Sequence, residues 1–262
     1  MHPGLVRDSL IIEALENSPA GRVEKEARTI GFFMLIRLDE GKYKLEVTMF
    51  FEDRIEAARQ LAAALSGYRG KQPLVLAIPR GGVPMAKIIA DELNGDLDVV
   101  LVRKLRAPGH AEFAIGSVDE SGWIYLADYA SDVGATQQYI DAEVATQLEV
   151  MRQRRAQYTP VRPPIDCAAR VVIVVDDGLA TGSTMISALH AIRAKNPLEL
   201  ICAVPVASSE ALEKVEPNAD RVVCLSTPAH FQAVGQFYRE FTQVADEEVI
   251  DILSGSSRPR GS

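Results

Sequence analysis

The chain has 262 residues, a formal net charge of −8 and 47% hydrophobic residues. That length and composition suit an ordinary globular protein with one large domain, or one domain with an appendage, and a sizeable buried core. The acidic balance argues against broad binding of nucleic acid or of anionic membrane surfaces, both of which need basic patches.

Residues 1–48 carry mixed charges and no convincing helical or strand period before about Gly31. The apolar run at 30–36 lies between Arg28 and Arg37 and is too short to span a bilayer. No leader pattern of charged, apolar and cleavage regions lines up at the N-terminus. The text changes character at Met49, which divides the chain into 1–48, an appendage or a misassigned start, 49–253, the main domain, and 254–262, a flexible tail. Leu45-Glu46-Val47-Thr48 can be encoded by codons containing GGAGGT, a ribosome-binding sequence just ahead of Met49. The competing reading is a β-hairpin over 32–49 that turns at Glu40-Gly41-Lys42.

Past Met49, Phe50-Phe51-Glu52-Asp53 leads into a helix with Ile55, Ala58, Leu61, Ala62 and Leu65 on one side. Residues 74–78 read as a buried strand ending in Pro79-Arg80-Gly81-Gly82. A helix with Met85, Ile88, Ile89 and Leu93 as its apolar face follows, and a strand over 97–102 completes a βαβ unit. Arg103, Lys104 and Arg106 then enter a loop over 103–112. Cations there either face solvent or compensate a polyanion. His110 and Glu112 have the spacing that opens a zinc-deaminase pattern, but no Pro-Cys-x-x-Cys partner exists, so no metal cage is expected.

Residues 114–118 and 123–126 read as paired strands around Gly122. From about 135 to 158 the pattern is helical, with Tyr139, Val144, Leu148 and Met151 inside and Arg152, Arg154 and Arg155 in solvent. Pro160, Pro163 and Pro164 then form a linker.

The stretch 171–186, VVIVVDDGLATGSTMI, organises the rest of the chain. Five β-branched residues without alternation read as a parallel strand buried on both faces. Asp176 and Asp177 follow, then the small and hydroxylated loop 178–184, then a helix from about Ser183. Such a loop lets backbone N–H groups converge on one anion at the positive helix end, and Gly178 and Gly182 permit the close approach. Two acids beside a phosphate cradle would repel the phosphate, so they serve a sugar diol, a metal ion, or both. An anion clamp and a diol clamp one loop apart describe a ribose 5-phosphate site. The plainer alternative is a tight turn whose helix is capped by Ser183 or Thr184.

A long strand over 198–206, a short helix capped by Ser208 or Ser209, and a last strand at 222–225 complete the pattern. Residues 227–238 are aromatic and irregular, and Asp246 caps a final helix to Leu253. Cys167, Cys202 and Cys224 are scattered with no CxxC; Cys202 and Cys224 read as small core residues, in keeping with a reducing, cytoplasmic setting.

The run from Val174 to Thr184 resembles the phosphoribosyl diphosphate (PRPP) signature of type I phosphoribosyltransferases. The resemblance implies that family's α/β fold: an open, mainly parallel sheet flanked by helices, with a flexible loop and a small C-terminal hood. It implies that Asp176 and Asp177 hold the ribose hydroxyls and that Gly178, Leu179, Ala180, Thr181, Gly182, Ser183 and Thr184 grip the 5-phosphate. It makes Arg80, Gly81 and Gly82 the pyrophosphate loop, joined by Arg103 and Lys104 from a mobile loop over the site, with Asp176, Asp177, Arg80 and Lys104 as the catalytic set. Phe231 and Tyr238 become base-stacking candidates in the hood. Magnesium is expected to be held through PRPP with help from the two acids rather than in a protein cage. Partners implied are PRPP and a base, and a homodimer, with no nucleic acid and no membrane. Ala180 stands where the hypoxanthine–guanine branch has an acid, and the loop wording is closer to adenine phosphoribosyltransferases, so the acceptor stays open. The alternative function is a regulatory protein that binds PRPP or a nucleotide without turnover.

Overall fold

Two neighbouring apolar runs, 74–77 and 171–175, form adjacent parallel strands in the computed structural model, which describes residues 32–39 and 42–255. The chain divides into two units, Met1–Phe51 and Glu52–Ser262. In the first, β1 (Phe32–Asp39) pairs antiparallel with β2 (Lys42–Met49), Phe32 opposite Met49 and Asp39 opposite Lys42. This is the register of the hairpin reading; residues 1–31 and the expected turn at 40–41 lie outside the described residues.

The second unit opens with α1 (Arg54–Ala64), capped by Asp53, whose carboxylate accepts from Glu56 N at 2.8 Å. Its buried stripe is Ala57, Ala58, Leu61 and Ala62, while Ile55 is exposed, contrary to the expected face. The small residues allow α1 to approach α2 (Gly82–Leu93) closely, and this rotates the bulky Ile55 outward.

A five-stranded parallel sheet forms the core. Its strands are β3 (Leu74–Ala77), β4 (Asp96–Val99), β8 (Val171–Val175), β9 (Glu199–Val206) and β10 (Arg221–Ser226), in the order β10-β9-β8-β3-β4. Leu74 pairs with Val172 and Ala77 with Val175, and Val174 faces Cys202 across the next pair. Every residue of β3 and β8 is buried, as expected of strands covered on both faces. Between β3 and β8 the strand order reverses: β3 leads outward through α2 to β4, and β8 leads the other way through α4 (Ser183–Arg193) to β9. Ligands of open parallel sheets bind beyond strand C-termini at such a reversal.

The region after β4 differs from expectation. The strand ends at Val99, and the expected loop over 103–112 is instead most of a hairpin of β5 (Val102–Ala107) and β6 (His110–Asp119), turned through Gly109 at φ +74°. The expected pairing of 114–118 with 123–126 is present, Gly116 opposite Leu126 and Val118 opposite Ile124. With β7 (Ile124–Leu126) they make a separate antiparallel sheet. Val102, Leu105 and Ala107 are buried while Lys104 and Arg106 are exposed. The register shifts around Arg106 break the simple alternation that would have revealed the strand.

Helix α3 (Gln137–Tyr158) is capped by Thr136 and buries Ile140, Gln147, Met151 and Tyr158. Arg152 is exposed as expected, but Arg154 and Arg155 are not in free solvent: they pair with Asp246 and Glu120. The last helix, α6 (Asp246–Gly255), runs through 254–255, the start of the expected tail; residues 256–262 lie outside the described residues. Among the described residues no helix is long and apolar enough to cross a membrane.

Helix α5 (Ser209–Val215) follows β9 and is capped by Ser208, whose Oγ accepts from Ala211 N at 3.1 Å. We expect Ser208→Ala to lower stability by about 1 kcal/mol, the usual worth of such a cap, in urea unfolding. No change in the midpoint would show that the cap contributes nothing here.

Candidate functional site

The site is built where the loops after β3 and β8 meet. Gly82 packs against the backbone: a Cβ there would lie 2.6 Å from Val175 O. A Cβ on Gly81 would lie 2.0 Å from Asp177 Oδ2. Only glycine at both positions lets the two loops approach this closely. They border a cleft of about 730 Å³. Arg80, Gly81, Asp176, Asp177 and the 178–182 loop line it with Thr184, and β5 contributes Arg103, Lys104 and Arg106. Of the residues singled out from the sequence, Gly82 and Ser183 are buried beside the cleft rather than lining it. A smaller concavity of about 270 Å³ lined by Arg69, Asp91, Glu92 and Asn94 holds none of the motif residues.

The loop after β8 is held from behind. Leu179 N donates to Val206 O at 2.9 Å, Ser208 N donates to Leu179 O at 3.0 Å, and Ser208 Oγ donates to Ala180 O at 2.8 Å. Gly182 adopts φ +77° and is itself the N-cap residue of α4. No side chain caps the helix, contrary to the alternative of a Ser183 or Thr184 cap. The Ser183 and Thr181 hydroxyls lie 3.1 Å apart, and Ser117 Oγ on β6 donates to Ser183 O at 2.7 Å. The first turn of α4 thus presents backbone N–H groups beside a cleft, the local chemistry of an anion site.

The two acids are arranged unequally. Asp177 N donates to Asp176 Oδ1 at 2.9 Å, and Tyr238 Oη donates to Asp177 O at 2.7 Å. Arg54 Nε and Nη2 both donate to Asp177 Oδ2, at 3.0 and 2.8 Å. Burial, and then the neighbouring Asp177 charge, raise the Asp176 carboxyl well above the usual carboxylate range. Burial also raises Asp177, but Arg54 and Lys104 pull it back toward the ionised form.

Across the cleft lies a group of cations. Burial, then Arg154, Arg106 and Arg80, push the Arg103 guanidinium below its ordinary value, so these charges share one neighbourhood. Arg103 Nε donates to Gln147 Oε1 at 2.9 Å. Asp246 accepts from Tyr158 Oη at 3.0 Å and lies 3.5 Å from Arg80 and 3.4 Å from Arg154. Bound polyanions are favoured by this excess of positive charge.

Two expected site residues are placed elsewhere. Tyr238 is buried beneath the acid loop with its hydroxyl committed to Asp177 O, and Phe231 packs against Phe237 with centroids 5.2 Å apart. Neither lines the cleft; Phe241, Val234 and Val244 do, with Gln232 and Gln243. A segment without helical or strand period gives no sequence clue to which ring faces inward. Arg54 was also missed. The available signal was electrostatic: a cation in the first turn of a helix opposes the macrodipole and needs a tertiary reason to be there.

Residues 48–242 match the family model described as the phosphoribosyl transferase domain. The chain is 40% identical over 209 residues to Mycobacterium tuberculosis proteins provisionally named phosphoribosyl transferase, MT0597 of strain CDC 1551 and Rv0571c of strain H37Rv. These alignments cover 79% of this chain and 47% of each relative, so the chain spans about half the length of the curated relatives it matches. The crystal structure of TT1426 from Thermus thermophilus is 45% identical, with a TM-score of 0.68 over 80% of this chain and 100% of that one. With the acid pair, the glycine-rich turns and the parallel sheet all lying inside the matched region, the chain belongs to the phosphoribosyl transferase domain family.

Proposed function

We propose that the cleft binds PRPP and transfers its 5-phosphoribosyl group to a ring nitrogen of a planar base, releasing pyrophosphate. The observation that carries this reading is the joining of three charged features on one rim: an acid pair, a helix start without a side-chain cap, and the Arg80–Arg103–Lys104–Arg106 cations. In this reading Asp176 and Asp177 hold the ribose 2- and 3-hydroxyls. Gly178, Leu179, Ala180, Thr181, Gly182 and Thr184 seat the 5-phosphate, with Ser183 supporting Thr181 from beneath. Arg80, Gly81, Arg103 and Lys104 take the diphosphate, with Gly82 setting the close approach behind them.

The bond from C1 to the diphosphate oxygen breaks as the bond from the base nitrogen to C1 forms, and the nitrogen's proton leaves to solvent or to the departing pyrophosphate. The sugar carbon is cation-like in between. Positioning by the acids and charge neutralisation by the arginines supply most of the acceleration. Among the described residues no group of three or more His, Cys, Asp or Glu is arranged to hold a metal. Two adjacent carboxylates suit magnesium, a cation that keeps several waters and takes its other ligands from phosphates. When bound, magnesium would offset charge on the diphosphate. Phe241, 38% exposed, replaces Phe231 and Tyr238 as the ring offered to a planar acceptor. The reading places the protein in cytoplasmic nucleotide salvage, with the homodimer expected of the resemblance.

The test is pyrophosphate release by the purified full chain with PRPP, magnesium and a panel of purine and pyrimidine bases. We expect release that depends on one base class. Tight PRPP binding with no product across the panel would replace the transferase with a PRPP-binding regulator, and ribose 5-phosphate released without any base would make it a hydrolase.

A further inference from the structure

On the phosphoribosyl reading above, we infer that Arg54 is a positioning residue: it fixes the Asp177 carboxylate for the sugar and ties it to Phe241–Thr242 at the acceptor end of the cleft. The guanidinium uses all three of its nitrogens. Nε and Nη2 reach the same Asp177 oxygen at 3.0 and 2.8 Å, and Nη1 donates to Thr242 O at 2.7 Å. Its flat face lies 3.9 Å from the centroid of the Phe241 ring. The Arg54 and Asp177 side chains are 11% and 16% exposed, so this pair is shielded far more than a surface ion pair.

Two consequences follow from the geometry. Arg54 takes Oδ2 twice, so among the described residues' side chains it leaves Oδ1 as the Asp177 oxygen to accept from a ribose hydroxyl. The same planar fork that orients Asp177 also holds the backbone and the ring of the segment over the other end of the cleft. Sugar and acceptor ends therefore share one fastener. Lysine could supply the charge but not this fork. The charge matters too, because Asp176 and Asp177 are neighbours in a buried setting and cannot both ionise easily without a cation against one of them.

The experiment measures PRPP affinity, in magnesium at pH 7.5 by calorimetry, with hydrogen exchange of residues 239–244, for the wild-type full chain, Arg54→Gln and Arg54→Lys. For Arg54→Gln we expect PRPP affinity to fall about 10- to 100-fold, the loss of charge-assisted hydrogen bonds. PRPP should slow exchange at 239–244 in the wild type and not in Arg54→Gln. Arg54→Lys should recover part of the affinity while leaving exchange at 239–244 fast. A merely structural Arg54 would lower stability in Arg54→Gln while leaving PRPP affinity and the protection of 239–244 those of the wild type, and that result would overturn the role of Arg54 alone. Failure of the wild-type protein to bind PRPP would overturn the phosphoribosyl reading and this role with it. Should Arg54→Gln not fold, Arg54→Lys decides: lost protection supports the role, and retained protection overturns it.

Discussion

Replacing both acids, Asp176→Asn with Asp177→Asn, is expected to lower PRPP affinity at least about 100-fold, since two charged acceptors of hydroxyl hydrogen bonds are lost together. Asp176→Asn alone is expected to raise the melting temperature at pH 7. The second half of this result follows from the position of Asp176. Its carboxyl is raised in the folded state by burial and then by Asp177, from an ordinary value of 3.8. A raised carboxyl favours folding while protonated, so its contribution is complete below about pH 4 and is lost as pH rises through the folded-state value. Stability at pH 7 is therefore lower than it would be with a side chain that stays neutral at every pH. Asparagine removes this cost: the gain should be absent below about pH 4, grow with pH and then level off. Each ~1 kcal/mol gained shifts the melting temperature by roughly 2–4 °C in a chain of this size. Calorimetric melts from pH 4 to 8, beside PRPP titrations, check both halves. Unchanged PRPP affinity in the double variant would remove these acids from the site, and a lower melting temperature at pH 7 for Asp176→Asn would refute the destabilising role. A site that weakens its own fold is what function at the cost of stability produces.

The second large effect is expected from a single methyl group. Gly81→Ala places a Cβ 2.0 Å from Asp177 Oδ2, 2.8 Å from its Cγ and 3.4 Å from Arg54 Nε. Either Asp177 leaves Arg54 or the two loops separate, and both displace the acid by a large fraction of an ångström. Displacements near 1 Å cost about 100-fold in rate at such sites. We expect Gly81→Ala to lose about that factor in pyrophosphate release, with a stability loss of about 1–3 kcal/mol from overpacking. Gly67→Ala is the matched control, since a Cβ there meets nothing within 4 Å, and its activity should equal that of the wild type. Activity of Gly81→Ala within twofold of wild type would show that the loops are not held in contact in solution.

Several parts of this protein were legible in one dimension. The buried strands at 74–77 and 171–175 announced themselves because a strand covered on both faces has no polar side to show, so its run is uninterrupted. The acid pair and the small loop after it were legible because backbone cradles need small residues at consecutive positions. The β5–β6 hairpin was not: three cations in six residues, with register shifts at Arg106, resemble a solvated loop until the partner strand is known. Arg154 looked like one of three surface cations, and only the fold sets it 3.4 Å from Asp246, a residue of another helix.

The sequence by itself determined the class of the core and the place of the small-residue loop and the acid pair, since each is a contiguous pattern whose physics is local. Tertiary structure alone decided which oxygen of Asp177 Arg54 occupies, which aromatic ring faces the cleft, and how the cations gather. Arg54 lies 123 residues from Asp177 and 188 from Thr242. Contacts at that separation leave no period or motif in the chain. They exist only because the parallel sheet brings the ends of β3 and β8 to one rim, with the first helix and the C-terminal segment packed against it.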